Sequence, residues 1–157
     1  MFGAFETFSE AQRNAIYTVF YSRPQSFSVL SSVHGYSLSE LDVESQTAGY
    51  PKTYALVVED KPMAVIRLEN PDFGSKSIRV MLDVLNPDLV GVLCVFFDQV
   101  RHLGFSRLYA YVFSNETAVK SVLIQSGFMK EVHLESHAFV LGKYESVEIW
   151  GTERRDV

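Results

Sequence analysis

Asp83 lies in SIRVMLDVL (Ser77 to Leu85), a run rich in Ile, Val, Leu and Met. A carboxylate set among apolar neighbours loses solvation, so its pKa rises and it can take a proton near neutral pH. Asp83 is therefore the first candidate for a general base. The plainer reading is a carboxylate hydrogen-bonded at a strand end. Glu69 closes MAVIRLE (Met63 to Glu69) and is a second candidate, or a solvated turn residue. His133, Glu135 and His137 alternate in a predicted strand and so share one face. Three such side chains suggest a metal, but four residues of strand span about 13 Å, which strains chelation of one ion. No further Cys or His cluster supports them, and no metal is expected. Cys94 sits beside Leu93, Val95 and Phe96 and reads as a small buried hydrophobe rather than a nucleophile. Tyr109, Tyr111 and Phe113 make one face of a strand aromatic. Core packing or a dimer contact is the default there, and Tyr111 as a proton donor is the chemical alternative.

The chain around these residues has 157 positions, 47% of them apolar, and a net charge of −5. That length suits one domain with a real core. The acidic balance and scattered basic residues argue against nucleic acid, which needs a basic footprint. One cysteine cannot form an internal disulfide, so a reducing, cytoplasmic setting is expected. The longest apolar run, Val90 to Phe97, is too short to span a membrane. The N-terminal stretch carries Glu6 and no early basic residue, unlike a secretory signal.

The patterning predicts alternating elements. Phe2 to Phe8 reads as an edge strand. Ser9 with Gln12 has capping-box spacing and starts a helix over about Glu10 to Tyr21. Ser22 to Gly35 is irregular. Ser37 with Glu40 repeats the box and suggests a short helix to about Thr47. Thr53 to Glu59 and Met63 to Glu69 form a hairpin around Asp60-Lys61-Pro62, and Ser77 to Leu85 is a third strand. Asn86-Pro87-Asp88 reads as a helix start, with the helix running from Pro87 to Leu103 and stopped by Gly104. Arg107 to Phe113 is a strand, Asn115 starts a helix that Gly127 ends, and Phe128 to Leu141 pairs with Tyr144 to Trp150 around Gly142-Lys143. Antiparallel strands followed by a strand–helix–strand crossover make a mixed α/β sheet with a change of direction, a natural ligand site.

The C-terminal half, about Ser77 to Gly151, resembles the GNAT acyltransferase superfamily. Its nearest likeness is the RimJ/RimL-type N-acetyltransferase branch. Asn115, Ala118, Gly127-Phe128, Glu131, Gly142 and Tyr144 stand in that family's order. The resemblance implies a mixed, mostly antiparallel sheet of six to seven strands with one splayed parallel pair, and about four helices. It implies acetyl-CoA as acyl donor and a primary amine, of a protein N-terminus or a small molecule, as acceptor. No nucleic acid or membrane partner is expected, and the aromatic C-terminal strands point to a homodimer. On this reading Asp83 is the base. Val84, Leu85, Asn86, Asp88, Gly91, Asn115 and Ala118 contact the acyl-CoA. Glu69, His133 and His137 line the amine pocket.

Three positions depart from the family's pattern. The pyrophosphate loop has no Gly-x-Gly stretch, only Gly91 nearby. The span from Asn115 to Gly127 is one residue longer than usual. Leu123 stands where many members carry a tyrosine, the acid for the leaving thiolate. The other expectation consistent with these departures is a catalytically degenerate binding or regulatory domain of the same fold.

Overall fold

Strands form the larger part of the described chain, and the central ones, Lys61–Asp72 and Ser77–Val84, are buried on both faces along most of their length. The structure is a computed structural model that describes residues 2–4, 9–16, 18, 50, 52–58, 61–85, 88, 90–140 and 142–153. It contains β1 (Phe2–Ala4), α1 (Glu10–Ile16), β2 (Lys52–Val58), β3 (Lys61–Asp72) and β4 (Ser77–Val84). These are followed by α2 (Val90–His102), β5 (Arg107–Phe113), α3 (Thr117–Gln125), β6 (Met129–Val140) and β7 (Lys143–Gly151). One sheet carries the order β1-β2-β3-β4-β5-β7-β6. Every neighbouring pair is antiparallel except β4 with β5. The mixed sheet expected from the sequence is present. Among the described residues there are three helices rather than about four. The expected helix over 37–47 and the stretch 22–35 lie outside the described residues.

Alternation divides the sheet into two faces. Val80, Leu82 and Val84 of β4 join Ile66 of β3 and Ala110 of β5 against Leu93, Phe97 and Val100 of α2 and Val122 and Leu123 of α3. Each such large side chain contributes about 1.5–3 kcal/mol when fully buried, so this face anchors both crossover helices. The opposite face carries Val65, Arg67 and Glu69 of β3 beside Asp83, Met81 and Arg79 of β4. No described helix is long and apolar enough to cross a membrane.

Local signals set the helix ends. The Ser9 hydroxyl accepts from the Gln12 amide N–H at 3.2 Å, and the Gln12 side-chain oxygen accepts from the Ser9 N–H at 3.0 Å. This is the reciprocal capping box that the spacing predicts. Gly127, at φ +86°, closes α3. The Phe128 N–H donates to the Leu123 carbonyl at 2.9 Å and the Gly127 N–H to that of Ile124 at 3.1 Å, a Schellman end. Phe128 then packs on Phe97, ring centroids 5.3 Å apart. A Cβ at Gly127 would meet no atom within 4 Å, so a substitution there tests backbone strain alone. Gly127→Ala should destabilise the protein by about 1–2 kcal/mol, lowering the urea midpoint with an unchanged m-value. An unchanged midpoint would show that the left-handed residue does not control this helix end.

Candidate functional site

β4 and β5 share four residue pairs, Ser77↔Arg107 to Val80↔Ala110, and no more. Both strands nevertheless continue. β4 stays paired with β3 as far as Val84↔Ala64, and β5 with β7 as far as Phe113↔Val147. Each strand is held on its far side, so the two part beyond Val80 and Ala110 and leave a V-shaped opening. The Leu85 N–H donates to the Met63 carbonyl at 3.0 Å. By strand alternation, the N–H and C=O of Leu82 and Val84 therefore point the other way, into the opening, where no strand pairs with them. On the β5 side, the Phe113 N–H is taken by the Glu116 carboxylate at 2.7 Å and its carbonyl by the Glu116 N–H at 3.0 Å. The polar edge of the opening therefore belongs mainly to β4.

The site residues expected from sequence fall in three groups. Asp83, Val84 and Leu85 stand on the open stretch of β4 or at its end. Asp83 is 3% exposed and pairs with Val65, and Leu85 is exposed. Gly91 lies in the first turn of α2 with open space where a Cβ would be. Ala118 is half-buried against the core. Asn115 does not start the helix. Glu116 holds the cap position, and the Asn115 carbonyl accepts the Thr117 N–H at 2.9 Å. The helix start at Pro87 also needs correction: α2 begins at Val90, no acidic residue occupies its first turn, and Asp88 precedes it. Of the Asn-Pro-Asp pattern only Asp88 is among the described residues, and it lies in a single 3-10 turn ahead of α2. Asn86 lies outside the described residues.

The third group lies away from the opening or is already engaged. Glu69, expected to line an amine pocket, is 5% exposed and clamped by two arginines. Arg67 reaches its Oε2 with Nε at 2.9 Å and Nη2 at 2.7 Å, and Arg79 Nη2 pairs with its Oε1. His133 and His137 are exposed on β6, the edge strand, which is separated from β5 by β7. A break in register between Leu134 and Ala138, with Ser136 at φ +48°, interrupts the alternation that was expected to align them. They are not brought to the opening. Cys94 is only half-buried, its thiol 3.5 Å from the Ser126 hydroxyl.

Two arrangements were not anticipated. The Arg79 guanidinium lies over the Tyr111 ring, 5.3 Å from its centroid, so a β4 side chain crosses to β5 where their pairing ends. The available sequence signal was Arg79 four residues before Asp83, hence on the same face. The second arrangement is Glu148 on β7, buried beneath α3. Burial alone would raise its carboxyl. Hydrogen bonds and charge from Lys120 and Lys130 outweigh that and hold it below its ordinary value. Their ammonium nitrogens lie 3.1 and 3.2 Å away, and Lys120 also donates to the Ser114 carbonyl at 2.8 Å. This ties α3 to β7 and to the turn beside the opening. Glu131 is likewise structural. Its carboxylate forks with Arg107 across Gly151, where a Cβ would collide with both side chains.

No protein-family model and no curated protein matches the sequence. Solved structures do. An acetyltransferase of Salmonella typhimurium that modifies the N-terminal serine of ribosomal protein L7/L12 superposes with a TM-score of 0.74 at 14% identity, over 99% of this chain and 94% of that one. This chain has the GNAT N-acetyltransferase fold. The GNAT enzyme RimL, solved in complex with coenzyme A, matches with a TM-score of 0.69 at 15% identity, over 94% and 87% of the two chains. A variant of the Vibrio cholerae spermidine N-acetyltransferase matches at 0.67 and 13%, over 97% and 94%. Against the ribosomal-protein-S5-alanine acetyltransferase of Vibrio fischeri the match spans 63% of that chain. The splayed parallel pair expected of a GNAT sheet is the β4–β5 pair.

The Glu148 contacts predict a pH dependence. Its folded pKa lies below the ordinary 4.5, so its stabilisation is present above that value and is lost as pH falls through the folded value. Glu148→Gln should unfold at lower urea than the parent at neutral pH, and the gap should narrow as the pH falls below 4.5. A gap that does not change with pH would mean the ion pairs contribute nothing.

Proposed function

We propose that this protein is an acyl-CoA-dependent N-acyltransferase, with acetyl-CoA as donor and a primary amine of a protein N-terminus or small molecule as acceptor. The observation that carries this reading is the early end of the β4–β5 ladder, which leaves the backbone of Leu82 and Val84 facing an open V. A donor chain carrying amides can lie against that edge in extended form and exchange hydrogen bonds with it, as an added strand would. The first N–H groups of α2, at Val90, Gly91 and Val92, have no partners within their helix and suit phosphate oxygens. The absence of an acidic residue in that turn favours the fit. The acidic Asp88 just before it works against it.

When bound, the thioester supplies an activated acyl carbon. Asp83 takes the proton that the amine must lose to attack, directly or through water. It is 3% exposed and sits on the stretch of β4 that has lost its β5 partner. Tyr111 is the first β5 residue past the last pair and carries a phenol that can return a proton to the leaving sulfur. Leu123 is fully buried, so α3 offers no acid from that position. That same observation favours the second reading, a binding or regulatory domain on this fold, which turnover with any amine would end. We further infer a cytoplasmic homodimer. Phe139 and Tyr144, exposed and packed edge to face with centroids 5.2 Å apart near the β6–β7 turn, support the contact. Sedimentation should give a dimer that Phe139→Ser weakens, and a monomer at high concentration would remove that part.

Calorimetric titration of the folded protein should show acetyl-CoA and CoA binding at micromolar concentration, and no binding at high micromolar ligand would refute the reading. Asp83→Asn should leave that affinity unchanged and lower kcat by about 10²–10⁴, with the loss shrinking for amines of lower pKa. A variant with full kcat would remove Asp83 from the base role.

A further inference from the structure

Resting on the acyltransferase reading, we propose that Arg79, with Tyr109 beside it, forms a subsite for a carboxylate on the acceptor, so that the amines this protein acylates also carry an acid group. Both Glu69 oxygens are occupied, one by Arg67 and one by Arg79. Arg79 commits a single nitrogen, Nη2, to that contact. A guanidinium has five N–H donors, and Arg79 Nε is buried with no hydrogen-bond partner. The side chain is 22% exposed, so a ligand can reach it. Its stacking on Tyr111 and its anchor to Glu69 fix the guanidinium in advance, which cuts the ordering cost of binding. Tyr109 pairs with Arg79 across the ladder. Burial is the main cause that raises the Tyr109 phenol, which keeps it an O–H donor at neutral pH. A planar carboxylate matches this combination of guanidinium and hydroxyl.

The position relative to the opening gives the subsite a direction. Arg79 is one residue before the last β4–β5 pair and Tyr111 one residue after it. Arg79 and Asp83 share a face, four residues apart, about 13 Å of strand. An acceptor held by its carboxylate at Arg79 therefore extends past Tyr111 toward Asp83, with its amine at the mouth of the V. A polycationic acceptor would instead meet two guanidiniums on this face, with Glu69 already neutralised. The carboxylate can come from the far end of an ω-amino acid or from an acidic residue near a peptide N-terminus.

The test follows thiol release from acetyl-CoA by the full-length protein. Acceptors are an ω-amino acid and its amide, a peptide N-terminus with aspartate or asparagine near its start, and spermidine. An acid should exceed its amide by about 10- to 100-fold in kcat/KM, mostly through KM, and spermidine should rank last. The pair that shows the preference identifies the source. Arg79→Gln should erase the preference and leave acetyl-CoA affinity unchanged, and Arg79→Lys should restore part of it. Binding of an N-acetylated amino acid and its amide, followed by NMR shifts without acetyl-CoA, reads the subsite independently of turnover. The acid alone should bind. Equal behaviour of acids and amides in the parent protein, or a preference that survives Arg79→Gln, overturns the proposal. Carboxylate binding that depends on Arg79, in a protein that ignores acetyl-CoA, would sustain the subsite and remove the acyltransferase reading instead.

Discussion

The structure depends on a parallel pair that cannot finish pairing. β4 and β5 are each held along nearly their whole length by an antiparallel neighbour, but by each other over only four positions. Sheet twist rotates adjacent strands relative to one another, and here the divergence opens a gap because each strand follows its outer partner. The core face supports the gap from below. Leu82 and Val84 are buried among residues of the helix face even where their backbone lacks a strand partner. The opening is therefore a rigid consequence of well-packed surroundings rather than a weak spot in the sheet.

The second face of the sheet adds charge to that geometry. Arg67, Glu69 and Arg79 form a row of ion pairs across β3 and β4, with Arg79 stacked on Tyr111 of β5. Removing Glu69 would leave two guanidiniums without their shared counter-charge, whereas removing either arginine leaves a neutral pair. The row helps keep β4 and β5 in place where their backbone bonds stop. The ionic brace at Arg79 thus lies one residue before the last β4–β5 pair, and the open edge at Leu82 and Val84 follows directly after it.

Much of this was legible in the sequence. The Ser9–Gln12 box and the Gly127-Phe128 helix end are local devices, and local devices read well because sequence neighbours make them. The strand alternation in Ser77 to Leu85 placed Asp83 opposite the core correctly. Errors arose where two local solutions compete. Asn86-Pro87-Asp88 satisfies every rule for a helix start, but α2 begins at Val90. Asn115 is a fitting cap, but Glu116 takes the position because its side chain reaches back to the Phe113 N–H. The clamp on Glu69 was hidden for another reason. Its Arg79 partner comes from the β3–β4 register, which places Glu69 opposite Arg79 and which no short window of sequence contains. The separation of His133 and His137 from the opening likewise depends on strand order, since β7 inserts between β5 and β6.

The edge of β4 repeats itself every two residues, about 6.6–6.8 Å. Leu82 and Val84 therefore present the same donor and acceptor twice, and an extended guest could seat in either of two equivalent positions along it. Nothing in a strand edge distinguishes them. The closed end of the V does: from Ser77 to Val80 on β4 and Arg107 to Ala110 on β5 the backbone groups are already joined, so a guest sliding inward would meet a stop. The last β4–β5 pair would thus act as a depth gauge, setting how far an extended chain could enter.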